Sequence, residues 1–368
     1  MGADLRKVRE VFGQSLWLDN LSRTLLHDGI LARYIAEDGI TGVTSNPSIF
    51  QKAIHSSPLY RDGSARGESA ERLYEDLVRA DLQMACDLLR PVYEQTDGDD
   101  GWVSWEESPA LAMDEAAAVA EAGRLRSIVN RDNLLIKVPA TAPGIAALRT
   151  LTAGGVSVNL TLMFGLGHVR AAFAAYQEGL ASWIGRGGDP RKVKSVASLF
   201  LSRVDTLVDR RLGAVGSEEA LALRGKTAVA LAKEAYAIYR ETFHGPGFAG
   251  LRAQGGRPQH LLWASTGTKN PDYSDLLYVE PLIGPETVNT LPDATVDRFR
   301  DHGNLASTLG TGLAEARETL ERVSRLGIDL EGDIAPALQQ EGLEAFARSF
   351  QEMLAEVEEL RRQNPTML

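Results

Sequence analysis

Eight short apolar runs recur along the chain, most of them followed by a stretch of helical period, and that alternation admits few folds. The runs are SLWLDN (15–20), ITGVT (40–44), WVSWEES (102–108), NLLIKVPAT (133–141), VSVNLTLMF (156–164), VKSVASLF (193–200), HLLWAST (260–266) and TVNTL (287–291). Their length and their β-branched and aromatic content suit strands buried on both faces. Strands alternating with helices build a parallel sheet, either open and doubly wound or closed into a barrel. No G-x-G-x-x-G fingerprint follows the first run, which weighs against the open dinucleotide-binding sheet. Polar residues gather at the C-terminal ends of many runs, the end where barrel active sites lie. The expected fold class is therefore α/β, a single (β/α)8 TIM barrel over residues 1–368 with additional helices at both termini.

The helical stretches are LSRTLLHDGILARYIAED, Glu68 to Gln95, Ala116 to Val129, a helix opened by Pro143, Gly165 to Ile184, Ser202 to Leu212 and Leu221 to Phe243. His244 to Pro258 reads as a Gly/Pro-rich loop. Near the C-terminus, Leu343, Phe346, Phe350, Met353, Leu354, Val357 and Leu360 share one helical face with acids opposite. Such a stripe normally faces its own core, so 340–363 is expected to be an accessory helix docked on the barrel.

The net charge of -11 argues against nucleic acid as a partner, since phosphate backbones need a basic face. A small phosphorylated substrate held by two or three cations remains compatible with it. The single cysteine, Cys86, permits no intramolecular disulfide and sits at helical spacing as apolar filler. Neither the opening MGADLRKVREVF nor any later stretch has the apolar length of a signal core or of a membrane span of roughly 18 residues. A cytoplasmic protein without membrane partners is expected, as a monomer or homodimer. The six histidines show neither H-E-x-x-H nor any other close pair of ligand type, so a zinc-dependent enzyme is not expected.

Lys137 stands inside the apolar run Leu134, Leu135, Ile136, Val138. An ammonium in such surroundings lowers its pKa, and the neutral amine is the nucleophile that forms Schiff bases with carbonyls. A lone lysine of this kind more commonly snorkels back to water. Its neighbours argue otherwise. With side chains alternating across each strand, Lys137 and Leu135 point into the barrel while Ile136 and Val138 face the helices. The same phase sets Ser104 with Glu106, and Ser157, Asn159 and Thr161 together. Asp19 closes the first strand, Asn46 follows the second, and Ser198 closes the sixth. An Asp or Asn at a strand end ordinarily caps a helix or makes a turn. A lysine, two carboxylates, two amides and two hydroxyls at one barrel end make a catalytic constellation instead. A carboxylate beside a lysine would hold it charged, so Glu106 is expected to work through a water or to stand off from the amine.

LWLDNLSR, GVTSNPSIF, VSWEES, NLLIKVPAT, VSVNLTLMF and VASLFLSRVD, in this order and spacing, resemble the transaldolase family, class I aldolase-like enzymes of the pentose phosphate pathway. ASTGTKNPDYSDLLYVEPLIGPETVNTLPD is similar to the longer bacterial branch of that family. The resemblance implies transfer of a dihydroxyacetone unit from sedoheptulose 7-phosphate to glyceraldehyde 3-phosphate through a lysine Schiff base. Erythrose 4-phosphate and fructose 6-phosphate would be the products, with no metal or cofactor. It further implies Lys137 as the Schiff-base lysine, Asp19 as the acid/base at the C4 hydroxyl, and Glu106 with Thr161 as the pair that positions a water. Asn46, Asn159 and Ser198 would hold the hydroxyls of the three-carbon unit, and Arg203 and Ser265 the phosphate. The second phosphate-binding arginine of the family is absent, and Lys269 is offered in its place after a small insertion. Two alternatives are a fructose 6-phosphate aldolase and a non-catalytic sugar-phosphate-binding barrel. The former is a shorter relative that tends to carry glutamine at the Glu106 position and tyrosine at Phe200. The latter would be marked by an altered lysine or acid, whereas Lys137, Asp19 and Glu106 are all intact.

Overall fold

The computed structural model describes residues 2–61 and 69–363. Eight parallel strands close into a barrel in chain order. They are β1 (Gln14–Leu18), β2 (Ile40–Thr44), β3 (Trp102–Glu106), β4 (Leu134–Pro139), β5 (Val158–Met163), β6 (Ser195–Phe200), β7 (His260–Ala264) and β8 (Thr287–Leu291). The ring shuts where β8 runs beside β1, Thr287 opposite Gln14 and Leu291 opposite Leu18. Every strand residue except Ser15 is buried, as a sheet packed inside and out requires. Among the described residues no helix is long and apolar enough to cross a membrane.

Packing inside the barrel explains Gly42. Trp17, on the same strand face as Asp19, is fully buried and donates its indole N–H to Asp100 Oδ1 at 2.9 Å. A Cβ on Gly42 would lie 2.5 Å from the indole ring, inside any allowed contact. Gly42→Ala is therefore expected to destabilise the barrel by about 1–3 kcal/mol, the usual cost of overpacking a tight core. A chemical-denaturation midpoint equal to that of the native chain would refute this account.

Several helices depart from the sequence expectation. LSRTLLHDGILARYIAED forms two helices, Arg23–His27 and Ile30–Asp38, because Gly29 between them takes φ +69°. Leu221 to Phe243 is likewise split into Glu218–Ala222 and Thr227–His244, with Gly225 at φ +72° in the break. The left-handed backbone ends one helix and re-aims the next. The loop expected from His244 to Pro258 contains the helix Pro246–Ala253, which proline opens at its first turn. Of the stretch Glu68 to Gln95, Glu68 lies outside the described residues and Ala70–Gln95 is helical. Two helices after β8, Asp293–His302 and Leu313–Arg325, have no counterpart in the sequence reading.

The C-terminal helix runs Ala335–Gln363. It packs on the helices Pro47–Ser56 and Ala70–Gln95 through an edge-to-face chain of Phe50, Tyr74 and Phe350, with centroids 6.1 and 5.8 Å apart. It also touches the strand ends. Gln339 Nε2 donates to the Ala140 carbonyl at 2.8 Å, just beyond β4. The helix thus crosses the C-terminal mouth of the barrel, and Phe346 reaches the cavity there.

Candidate active site

Parallel register places three inward side chains abreast at that mouth. Glu106 of β3 is opposite Lys137 of β4, and Lys137 is opposite Asn159 of β5. Lys137 is only 5% exposed; its Nζ donates to the Ser45 carbonyl at 2.9 Å and lies 3.0 Å from Glu106 Oε2. The expectation of a water-mediated or distant Glu106 is corrected by this direct contact. Neighbouring strands are only about 4.8 Å apart, so inward residues in register have little choice but to touch. Burial raises the Glu106 carboxyl above its usual range, and the Lys137 cation opposes the shift. Keeping a carboxylate charged in a buried site is costly even beside a cation, so burial biases Glu106 toward its protonated form.

Asp19 follows β1 at the rim of the same cavity. Thr44 donates its hydroxyl to Asp19 Oδ1 at 2.7 Å, and Thr290 Oγ1 stands 2.6 Å from Thr44 Oγ1. Burial raises the Asp19 pKa, with the Thr44 hydrogen bond and the Lys137 charge pulling it back. On the other side, Ser198 donates to Asn159 Oδ1 at 2.6 Å, and Asn159 Nδ2 donates to Ser104 Oγ at 3.1 Å. That ladder fixes the orientation of the Asn159 amide. Thr161 Oγ1 is buried and has no protein partner among the described residues, which leaves it for a water or a substrate hydroxyl. Asn46 does make the ordinary cap, accepting from the Ile49 N–H at 3.0 Å, while also lining the cavity.

Asp19, Asn46, Lys137, Asn159, Thr161, Ser198, Arg203 and Ser265 thus surround one cavity of about 90 Å³, with Glu106 against Lys137. Lys269 opens instead on an adjoining cleft of about 430 Å³, with Arg203 as the shared wall. Over residues 16–357 the sequence matches the family described as Transaldolase/Fructose-6-phosphate aldolase. A Transaldolase of Thiobacillus denitrificans is 55% identical over 349 residues, covering 94% of this chain and 97% of the relative. The Transaldolase of Neisseria gonorrhoeae is 46% identical over 94% and 97% of the two chains, and that of Thermobifida fusca 45% identical over 97% and 98%. The chain belongs to the transaldolase/fructose-6-phosphate aldolase family.

For a member of this family the anionic end of the substrate has to be met by cations at the rim. Arg203, near the start of the helix Ser202–Val215, and Lys269 both have their pKa lowered by burial, and Lys269 is lowered further by Arg203. Neither has a carboxylate partner within ion-pair distance among the described residues. An anion beside Arg203 and Lys269 would offset the penalty that burial puts on both charges and that Arg203 adds to Lys269. Ser265 takes φ +54°, a left-handed conformation that is strained for serine, and its hydroxyl is 2.8 Å from that of Ser202.

Sequence reasoning did not single out Thr44, Thr290, Ser45 or Phe346. The inward phase of β2 and β8 could have found the two threonines, since each lies near the C-terminal end of its strand. Nothing local marks Phe346, one apolar residue in a stripe of seven.

Glu107, next to Glu106, points the other way and is 2% exposed, with neither carboxylate oxygen bonded among the described residues. Burial, the neighbouring Glu106 and then Glu121 push it up to about 8. A carboxyl with a raised folded pKa stabilises fully below its unfolded value and loses that contribution as pH rises through the folded one. Relative to Glu107→Gln, the native chain should lose ~4 kcal/mol of stability between pH 4.5 and pH 8, an order-of-magnitude figure from the shift. Parallel stability curves for the two chains over that window would contradict it.

Proposed function

We propose that this chain transfers a dihydroxyacetone unit between sugar phosphates, from sedoheptulose 7-phosphate to glyceraldehyde 3-phosphate. The observation that carries the reading is the buried Lys137–Glu106 pair, 3.0 Å apart at the end of the barrel where the polar cavity opens. The proton moves from the Lys137 ammonium to Glu106, and the free amine attacks the C2 carbonyl. Glu106, now an acid, protonates the departing hydroxyl through a water held with Thr161, and an iminium forms. Asp19 takes the proton of the C4 hydroxyl, the C3–C4 bond breaks, and its electron pair flows into the iminium. Erythrose 4-phosphate leaves, and a three-carbon enamine stays on Lys137. Asn46, Asn159 and Ser198 hold its hydroxyls while it attacks the aldehyde carbon of glyceraldehyde 3-phosphate, and Asp19 returns its proton to the new C4 oxygen. Water then hydrolyses the new iminium, releasing fructose 6-phosphate and the free lysine.

Arg203 and Ser265 bind the phosphate, and Lys269 adds charge as a point cation without the bidentate fork of an arginine. The whole chain acts as one barrel domain with its C-terminal helix, in the cytoplasm, as a monomer or homodimer. Glu106 and Phe200 favour transfer over simple cleavage, because each stands where the aldolase branch tends to carry another residue. The test is turnover with fructose 6-phosphate, with and without erythrose 4-phosphate. Sedoheptulose 7-phosphate should accumulate only with the acceptor. Steady release of glyceraldehyde 3-phosphate from fructose 6-phosphate alone would establish the aldolase instead.

A further inference from the structure

Arg203 lies against two aromatic rings that come from distant parts of the chain. Its guanidinium carbon is over the Phe200 ring at 5.6 Å from the centroid and over the Phe346 ring at 5.9 Å. Phe200 ends β6 and is braced by Phe164, ring centroids 5.3 Å apart. Phe346 belongs to the C-terminal helix, is 4% exposed and lines the catalytic cavity. One turn earlier on the same helix face, Gly342 also lies beside the guanidinium: a Cβ there would be in ordinary contact with Arg203 Nη1 at 3.5 Å and would crowd Leu162 Cδ2 at 2.9 Å. The helix that carries both is tied down near the ends of β4 and β5. Gln339 bonds the Ala140 carbonyl, and in the turn just before the helix Glu331 accepts from the Leu166 and Gly167 N–H groups at 2.6 and 2.9 Å.

Electron-rich ring faces attract a guanidinium without neutralising it, so they can fix its orientation while leaving its N–H fork and full charge for an incoming anion. A carboxylate in the same place would orient Arg203 as well but would compete with that anion. Fixing the side chain beforehand also removes the rotamer entropy that would otherwise be lost on binding.

We propose that Phe346 is a positioning residue for phosphate recognition: the C-terminal helix clamps Arg203 between Phe346 and Phe200 and so sets the preference for phosphorylated over unphosphorylated sugars. This rests on the reading of Arg203 as a phosphate ligand, and the test separates the two. In a double-displacement cycle kcat/KM for the acceptor does not depend on the donor, so glyceraldehyde 3-phosphate and unphosphorylated glyceraldehyde can be compared with one donor. The ratio of their kcat/KM values should fall about three- to tenfold in Phe346→Leu, the range a partly buried cation–π contact supports, with the change carried by KM. Phe346→Tyr, which keeps the ring, should restore the native ratio. Phe346→Met, of similar volume, replaces the leucine variant should that one not fold. An equal fall for both acceptors, or an unchanged ratio, would overturn the clamp. Arg203→Gln is the control. If it abolishes the preference while Phe346→Leu does not, only the clamp fails; if it leaves the preference intact, the phosphate reading of Arg203 fails with it.

Discussion

Lys137→Met should form no covalent adduct when the chain is treated with fructose 6-phosphate and borohydride, whereas the native chain should gain the mass of a reduced three-carbon unit on Lys137. Turnover should drop by on the order of 10⁴-fold or more, since the covalent route is removed altogether. The effect on folding is a separate, pH-dependent one. Deleting one member of a buried pair ordinarily costs about 3–5 kcal/mol, because the other charge is left uncompensated. Here burial already raises the Glu106 carboxyl, and without the cation nothing nearby opposes that shift as strongly. Glu106 should therefore take up a proton in the variant, so that its stability is nearest the native value at acid pH and falls as pH rises through that raised pKa. Melting temperatures at acid and alkaline pH check the sign, and intact mass checks the chemistry. Persistence of a borohydride adduct on the methionine variant would move the nucleophile elsewhere.

Asp19→Asn should separate Schiff-base formation from bond cleavage. The amide keeps the shape and can still meet the Thr44 hydroxyl that lies 2.7 Å from Asp19 Oδ1, but it cannot accept the C4 proton. The expected result is a trapped adduct of the intact six-carbon ketose, with cleavage slowed by about 10²–10⁴-fold, the usual contribution of a positioned general base. The pH profile gives a second reading. Asp19 must be ionised to act, and burial raises its pKa, so native activity should fall as pH falls while still above the usual carboxylate range. That acid limb should be absent from the asparagine variant. A three-carbon adduct formed at the native rate, or full turnover, would remove Asp19 from the mechanism.

Strand positions, the inward phase of Lys137, Glu106 and Asn159, and the barrel itself were legible from the sequence. Each rests on a period of two or on strand–helix alternation, which a handful of adjacent residues encode. The helix breaks at Gly29 and Gly225 were less so, because a helical period runs through a glycine unless the backbone there turns left-handed. Helix Pro246–Ala253 was hidden for the opposite reason: Gly and Pro read as loop, yet proline fits a first turn.

A second buried lysine shows where local reading ends. Lys194 sits at the start of VKSVASLF, is 1% exposed, and lies 2.8 Å from Asp99 Oδ1 and 3.0 Å from His260 Nδ1. Burial and the Lys194 charge push His260 down to about 3, leaving the imidazole neutral beside the cation. Both lysines belong to apolar runs, but Lys194 lies before β6 at the N-terminal end of the barrel, the end associated with stability rather than catalysis.

The sequence alone determined which residues become strands and which side of each strand faces inward. Only barrel closure decided which inward residues meet. The Ser45 carbonyl that receives the Lys137 ammonium is 92 positions away in the chain, the direct Glu106 contact depends on register between β3 and β4, and Phe346 reaches Arg203 only because the last helix folds back across the mouth. Side-chain period is a property of a few neighbouring residues, whereas these contacts are set by register and packing between elements far apart in sequence.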